Sequence, residues 1–270
     1  MVEVVTAADQ QVIIEIGNMP VLVRSESPEF LRMLMGRYSG FVSAEGRADF
    51  EIDVDLVPPG KITDEEDVAV WFAHGRWIIE RGDLRAEWEA ETRRARIVQS
   101  ANPYSIDTAL RILHSLILAQ EGGLLVHAAS AVRNGRAFLF SGVSGAGKTT
   151  ISRLAPPDTK LLTDEISYVR RDSAGYVAYG TPFAGELAEP GENMRAPLAA
   201  LYLLEKGPEN TVAQVSQSDA VRRLLENVLF FANDSELVGL VFESACELGR
   251  SVPVYRLTFY PDERVWELIA

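Results

Sequence analysis

Eight consecutive residues, Gly142-Val143-Ser144-Gly145-Ala146-Gly147-Lys148-Thr149, fit the pattern GxxxxGK[ST] without a mismatch. Each residue type has a chemical reason to stand where it does. Glycines let successive backbone N–H groups turn inward around a phosphate, the Lys148 ammonium reaches the β and γ oxygens of a triphosphate, and the Thr149 hydroxyl is a ligand for Mg²⁺. An apolar run at 137–140 leads into the loop and a short helical segment over 149–154 leads out, the order of strand, loop and helix that such a site requires. Unpaired N–H groups at that helix start add positive potential where phosphates would sit. Gly142, Ser144, Gly145, Ala146, Gly147, Lys148, Thr149 and Thr150 are therefore the expected nucleotide-binding residues, for ATP or GTP with Mg²⁺.

Two further residues come to this loop through the elements around it. If Asn134-Gly135 is a two-residue hairpin turn, Arg133 faces Arg136 and, counting back along the pair, His127 faces Gly142. An imidazole there can orient a phosphate, a metal-bound water or an incoming hydroxyl, which makes His127 a candidate catalytic residue. Downstream, Pro156-Pro157 cuts the helix short and residues 160–163 read as a strand ending in Asp164-Glu165. An acid at a strand tip beside the loop is the usual second Mg²⁺ contact. Neighbouring strand residues point to opposite sides, so one of the two is expected to face the phosphates unless the strand end is bulged, and Asp164, directly after the apolar run, is the first choice.

The rest of the chain must supply the scaffold. With 270 residues, 47% hydrophobic and 24% charged, the composition is that of a folded globular protein with one large or two modest domains. A net charge of −13 argues against general nucleic-acid binding, which needs a clustered basic surface. The basic knot Arg93-Arg94-Ala95-Arg96 lies beside Glu87, Glu89 and Glu91 and reads as a solvated hairpin face. Apolar stretches such as 112–119 are interrupted by His114 and Ser115 and fall short of the roughly 18 residues of a bilayer span. The first ten residues carry acids and no export-signal design, so the expected compartment is the cytoplasm. A single cysteine, Cys246, excludes an internal disulfide.

Residues 1–102 read as a β-rich unit and residues 103–270 as the nucleotide-binding domain. Runs at 11–16 and 20–24 flank Gly17-Asn18 as a hairpin, and Ser27-Pro28 opens a helix. Residues 49–56 alternate acid and apolar side chains, a half-buried strand whose acids spread along one face instead of converging on a metal. Pro58-Pro59-Gly60 and the acids at 64–67 make a loop, and short strands follow at 68–72, 77–80, 84–88 and 95–98. A helix begins at Ser105, and His114, one residue off its apolar seam, reads as a packed or surface histidine and not a ligand. Toward the end, 198–204 and 252–259 read as strands, and 218–227 and 236–248 as helices.

Taken together, Leu125-Val126-His127, Asn134-Gly135, the segment 139–150, residues 161–165 and Gly180-Thr181-Pro182 resemble the catalytic domain of bacterial HPr kinase/phosphorylase, whose nucleotide module is shared with ATP-dependent phosphoenolpyruvate carboxykinase. The resemblance covers about residues 124–204. It implies an α/β P-loop kinase domain with a mixed sheet, behind the β-rich unit. It also implies that Thr149 and Asp164 hold Mg²⁺ with Glu165 beside them, that Lys148 neutralises the γ-phosphate, that Asp164 or a neighbour takes the acceptor proton, and that His127 lies in the active site. The chain departs from the family in carrying Asp164-Glu165 where two aspartates are common, and in lacking the family's second signature after Pro182. That favours a divergent kinase of the kind sometimes paired with peptide-modification systems. Glu186, Asn193 and Arg195 are the candidate substrate contacts.

The expected reaction is transfer of a γ-phosphoryl group to a hydroxyl, serine first, on a protein, peptide or small molecule. The alternatives are a regulatory NTPase module and a carboxykinase-like enzyme. No nucleic-acid or membrane partner is expected. The acceptor, the nucleotide base and assembly as a homo-oligomer are left open by the sequence.

Overall fold

The computed structural model describes residues 10–43, 46–59 and 67–269. The loop expected at 58–67 and the N-terminal segment lie partly outside the described residues. The protein is mixed α/β and strand-rich, with two mixed sheets. It divides into two compact units, Met1–Leu116 with Phe231–Ser235, and Ile117–Phe230 with Glu236–Ala270. Among the described residues no helix is long and apolar enough to cross a membrane.

In the first unit, β1 (Gln11–Ile16) and β2 (Met19–Ser25) form the hairpin, with both turn residues in the left-handed region. Helix α1 (Pro28–Arg37) begins as expected: the Ser27 Oγ accepts the Phe30 N–H at 3.2 Å, and Phe30, Leu31 and Leu34 are buried. The strands β3 (Val42–Ser43), β4 (Phe50–Leu56), β5 (Ala69–Ala73), β6 (Arg76–Arg81), β7 (Leu84–Glu89) and β8 (Arg94–Gln99) complete a sheet ordered β3-β1-β2-β4-β8-β7-β6-β5. β4 runs parallel to both β2 and β8. This register sets the acids of β4 against the basic residues of its neighbours: Glu51 pairs with Arg24 at 2.8 Å and Arg94 at 2.9 Å, and Asp55 with Arg96 at 2.7 Å. The row of carboxylates is a partly exposed cross-strand ion ladder, which lowers the Glu51 pKa through its hydrogen bond from Arg24 and contributes little to stability. Trp77 and Trp88 are buried, whereas Trp71 is exposed because β5 is an edge strand. In helix α2 (Pro103–Gln120), His114 is fully buried edge-to-face against Phe50, a packing histidine.

The second unit is built from β9 (Leu124–Arg133), β10 (Arg136–Ser141), α3 (Lys148–Arg153), β11 (Lys160–Thr163), β12 (Ile166–Asp172), β13 (Gly175–Tyr179), β14 (Arg195–Lys206), β15 (Thr211–Gln214), α4 (Gln217–Leu225), α5 (Ser235–Ser251) and β16 (Val254–Phe259). The strand order is β10-β9-β12-β13-β14-β16-β15, with β11 also on β9; β10 additionally pairs parallel with β14 and so closes a circuit. The long strands β9 and β14 make this possible by pairing with different partners along their two halves. β12, β13 and β15 are strands that the sequence pattern did not single out. β12 over its first four residues and β13 over its last four are buried on both faces, and β15 is a four-residue edge strand, so none of the three shows the alternation that marks a half-buried strand.

The core beneath the glycine-rich loop is aromatic. Phe140 stacks on Tyr202 at 5.7 Å, Tyr202 on Tyr255 at 5.6 Å, and the Trp266 ring meets Phe140 edge-on at 5.4 Å. Each such pair contributes about 0.5–1.5 kcal/mol beyond area burial, and together they join β10, β14 and β16 to the closing 3-10 turn Glu263–Leu268.

The chain between β13 and β14 lies against β11: the Thr181 N–H donates to the Leu162 carbonyl at 3.0 Å and the Glu192 N–H to Leu161 at 2.9 Å. Gly191 is required there, because a Cβ would coincide with the Leu162 carbonyl oxygen. Gly191→Ala is expected to lower stability by about 1–3 kcal/mol or more, read as a shift of the urea unfolding midpoint. An unchanged midpoint would contradict this close approach.

Candidate functional site

The turn at Asn134-Gly135 has both residues in the left-handed region, φ 52° and 73°, the geometry of a tight two-residue hairpin. Arg133 accordingly pairs with Arg136, and the ladder continues to Ala128 opposite Ser141. His127 is the next residue of β9, where β10 gives way to Gly142. Its N–H donates to the Asn227 carbonyl at 2.7 Å, and its carbonyl accepts from the Ser141 Oγ at 3.4 Å. Backbone bonds on both groups thus hold the imidazole at the mouth of the loop.

The loop itself turns through Gly145 and Gly147, with φ of 78° and 112°. A Cβ at Gly147 would stand 2.6 Å from the Phe259 ring, so both conformation and space demand glycine. Helix α3 follows for only six residues, too short to be stable alone. It is secured by the buried Ile151, whose carbonyl accepts the Trp266 Nε1–H at 3.0 Å.

Across the loop, β11 pairs with β9 through a bulge: Leu161 lies opposite Ala131 and Thr163 opposite Ser130. The chain then bends into β12, which pairs Ile166 with His127. Because the strand end is irregular, Asp164 and Glu165 both line the same cavity. Asp164 is buried, and its two oxygens accept the N–H groups of Gly185 at 2.8 Å and Leu187 at 2.9 Å. It thereby fixes the segment that carries Glu186.

These elements enclose a cavity of about 310 Å³ lined by His127, Ser144, Gly145, Gly147, Lys148, Thr149, Thr150, Asp164, Glu165, Gly185, Glu186 and Lys206. The Lys148 side chain is mostly buried and donates to the Gly142 carbonyl at 3.0 Å. Burial pushes the Lys148 pKa down, while the carboxylates of Glu165 and Glu186 pull it up. Gly142 and Ala146 line a second cavity of about 320 Å³, with Leu204, Glu205, Arg223 and Asn227 among its walls. The two cavities share Ser144, Gly145 and Lys206.

Asn193 and Arg195 are exposed and line neither cavity. Arg195 opens β14, paired with Tyr179, and because β14 runs parallel to β10 it is the other end of the strand, at Lys206, that reaches the loop. Lys206 and Gly185 are cavity residues that the sequence reading passed over. A partial signal for Lys206 was present: it stands two residues after an apolar run at 198–204, with Glu205 between, whereas Asp164 directly follows 160–163.

Among the described residues no group of three or more His, Cys, Asp or Glu side chains forms a metal cage. The oxygens that line the cavity, from Thr149, Asp164 and Glu165, are nevertheless the hard donors Mg²⁺ takes, since that ion uses one or two carboxylates and completes its shell with phosphate and water.

Residues 104–270, which contain every residue of both cavities, match the family model described as ScmC: SynChlorMet cassette protein ScmC. No curated protein matches the chain. The geometry makes one structural demand that can be checked without a ligand. Asp164→Ala leaves two backbone N–H groups without their acceptor, and is expected to cost about 1–3 kcal/mol by urea unfolding and to speed hydrogen exchange at Gly185 and Leu187. Unchanged exchange at both amides would show that Asp164 does not hold this segment.

Proposed function

The chain belongs to the ScmC family, and we propose that it is a P-loop kinase of the HPr kinase/carboxykinase type, transferring the γ-phosphoryl group of ATP or GTP to a hydroxyl, serine first, of a protein, peptide or small molecule. The observation that carries this reading is one cavity lined by a buried lysine, a threonine hydroxyl, two strand-end acids and a histidine. The parallel pairing of β10 and β14 supports it, because the glycine-rich loop leaves β10 at its carboxyl end, where ligands of parallel sheets bind.

In this reading the backbone N–H groups of the loop surround the β-phosphate, and Lys148 exchanges the Gly142 carbonyl for β and γ oxygens. Thr149, Asp164 and Glu165 would hold Mg²⁺; Asp164 keeps lone pairs beyond the two that accept backbone N–H groups. When bound, the ion neutralises charge on the β and γ oxygens. The acceptor oxygen bonds to the γ-phosphorus as the bond to the β–γ bridging oxygen breaks, and that electron pair leaves with the nucleoside diphosphate. We assign the hydroxyl proton to Glu165, since Asp164 is committed to positioning the 185–187 segment, and give His127 the orientation of the acceptor or the γ-phosphate. We assign the reaction to the cytoplasm, and the family description as a cassette protein directs the search for an acceptor to products of the same cassette.

Lys148→Ala is expected to weaken Mg-ATP or Mg-GTP binding by about tenfold or more, as the main cationic partner is lost; calorimetry on the folded variant checks it, and unchanged affinity would sink the reading. Glu165→Gln should keep nucleotide affinity within about tenfold yet lower phosphoryl transfer by about a hundredfold, followed as the gain of one phosphate in acceptor mass. Nucleotide hydrolysis with no cassette product phosphorylated would instead mark a regulatory NTPase.

A further inference from the structure

We infer that Lys206 is a second cationic contact for the transferring phosphoryl group, standing across the glycine-rich loop from His127. This rests on the nucleotide reading above and adds to it a residue outside the loop motif and the strand-end acids.

The placement follows from strand pairing. Ser141, the last residue of β10, pairs with Ala128 of β9 on one edge and with Leu203 of β14 on the other. Beyond that point β9 contributes His127, and β14, running parallel, continues through Leu204 and Glu205 to Lys206. Those three residues extend roughly 10 Å past the end of β10. They carry Lys206 alongside the loop, and the residue lines both cavities, which also share Ser144 and Gly145.

A second set of contacts fixes Lys206 against the loop. Lys206 pairs with Phe259 of β16, and the Phe259 ring packs on Gly147. The backbone at Lys206 and the glycine-rich loop are therefore held by the same residue, Phe259.

The local charges give the ammonium its purpose. Glu205 is paired with Arg223 at 3.1 Å and Lys160 with Glu192 at 2.9 Å. Lys206, by contrast, is exposed and makes no ion pair among the described residues. Lys148 is already set against two carboxylates, Glu165 and Glu186. A γ-phosphate entering such a cavity brings further negative charge, and an unpaired ammonium at its rim meets that charge without first giving up a partner. Neutralising the γ oxygens from two sides also favours the transition state, in which charge spreads over them.

The test uses the full chain and two nucleotides, so no acceptor is needed. Calorimetric affinities of Mg-ATP and Mg-ADP are compared for the wild type, Lys206→Met and Lys206→Arg. If Lys206 meets the γ-phosphate, Lys206→Met weakens Mg-ATP by about tenfold or more and Mg-ADP by less than about twofold, with Lys206→Arg close to wild type. Equal losses for both nucleotides would overturn the inference, because a structural or diphosphate contact acts on both. So would no loss for either. A wild-type protein that binds neither nucleotide would refute the underlying nucleotide reading, and the inference with it.

Discussion

Strand β10 is held on both edges, antiparallel to β9 and parallel to β14, and the chemistry-bearing residues of the second unit are placed by those two registers. The first is set locally: Asn134 and Gly135 both adopt positive φ, and a two-residue turn admits one pairing. A slip of one residue would turn His127 to the opposite face of β9. The second register is set by side chains that meet only after folding, the Phe140–Tyr202–Tyr255 stack. One strand end is thus flanked by a histidine and a lysine nearly eighty residues apart in sequence.

The loop depends on this frame because it has little stability of its own. Six residues of α3 do not sustain a helix, so its position comes from the buried Ile151, the Trp266 indole on the Ile151 carbonyl and the Phe259 ring against Gly147. The closing segments of the chain, which carry no motif, are what keep the glycine-rich loop in shape.

On the opposite side of the cavity, the strand-end acids divide their work for a geometric reason. The bulge in β11 ends regular alternation before Asp164, so both acids turn toward the cavity. Asp164 has two backbone N–H groups on its oxygens and organises the 185–187 segment; that segment brings in Glu186, whose charge with that of Glu165 offsets part of the desolvation of Lys148. A buried lysine is costly without such neighbours.

Much of this was legible in the sequence because it is local. The glycine pattern, the turn at Asn134-Gly135, the Ser27 cap and the alternation over 50–56 each act within a few residues, where backbone sterics and hydrogen bonding decide the outcome. The sequence also placed His127 beside the loop, since a hairpin register is a matter of counting from its turn. It could not place Arg195 and Lys206 at opposite ends of one strand relative to the loop, because the direction of β14 against β10 is a long-range pairing. Nor could it foresee that Asp164 would be taken up by the amides of Gly185 and Leu187, which lie over twenty residues away and reach it only through the fold of 180–192 on β11. The sequence alone determined the glycine-rich loop, its lysine and threonine, the strand-end acids and the histidine one hairpin register away; the closure of the second sheet decided which of them share a cavity, since only pairing between distant strands brings those residues together.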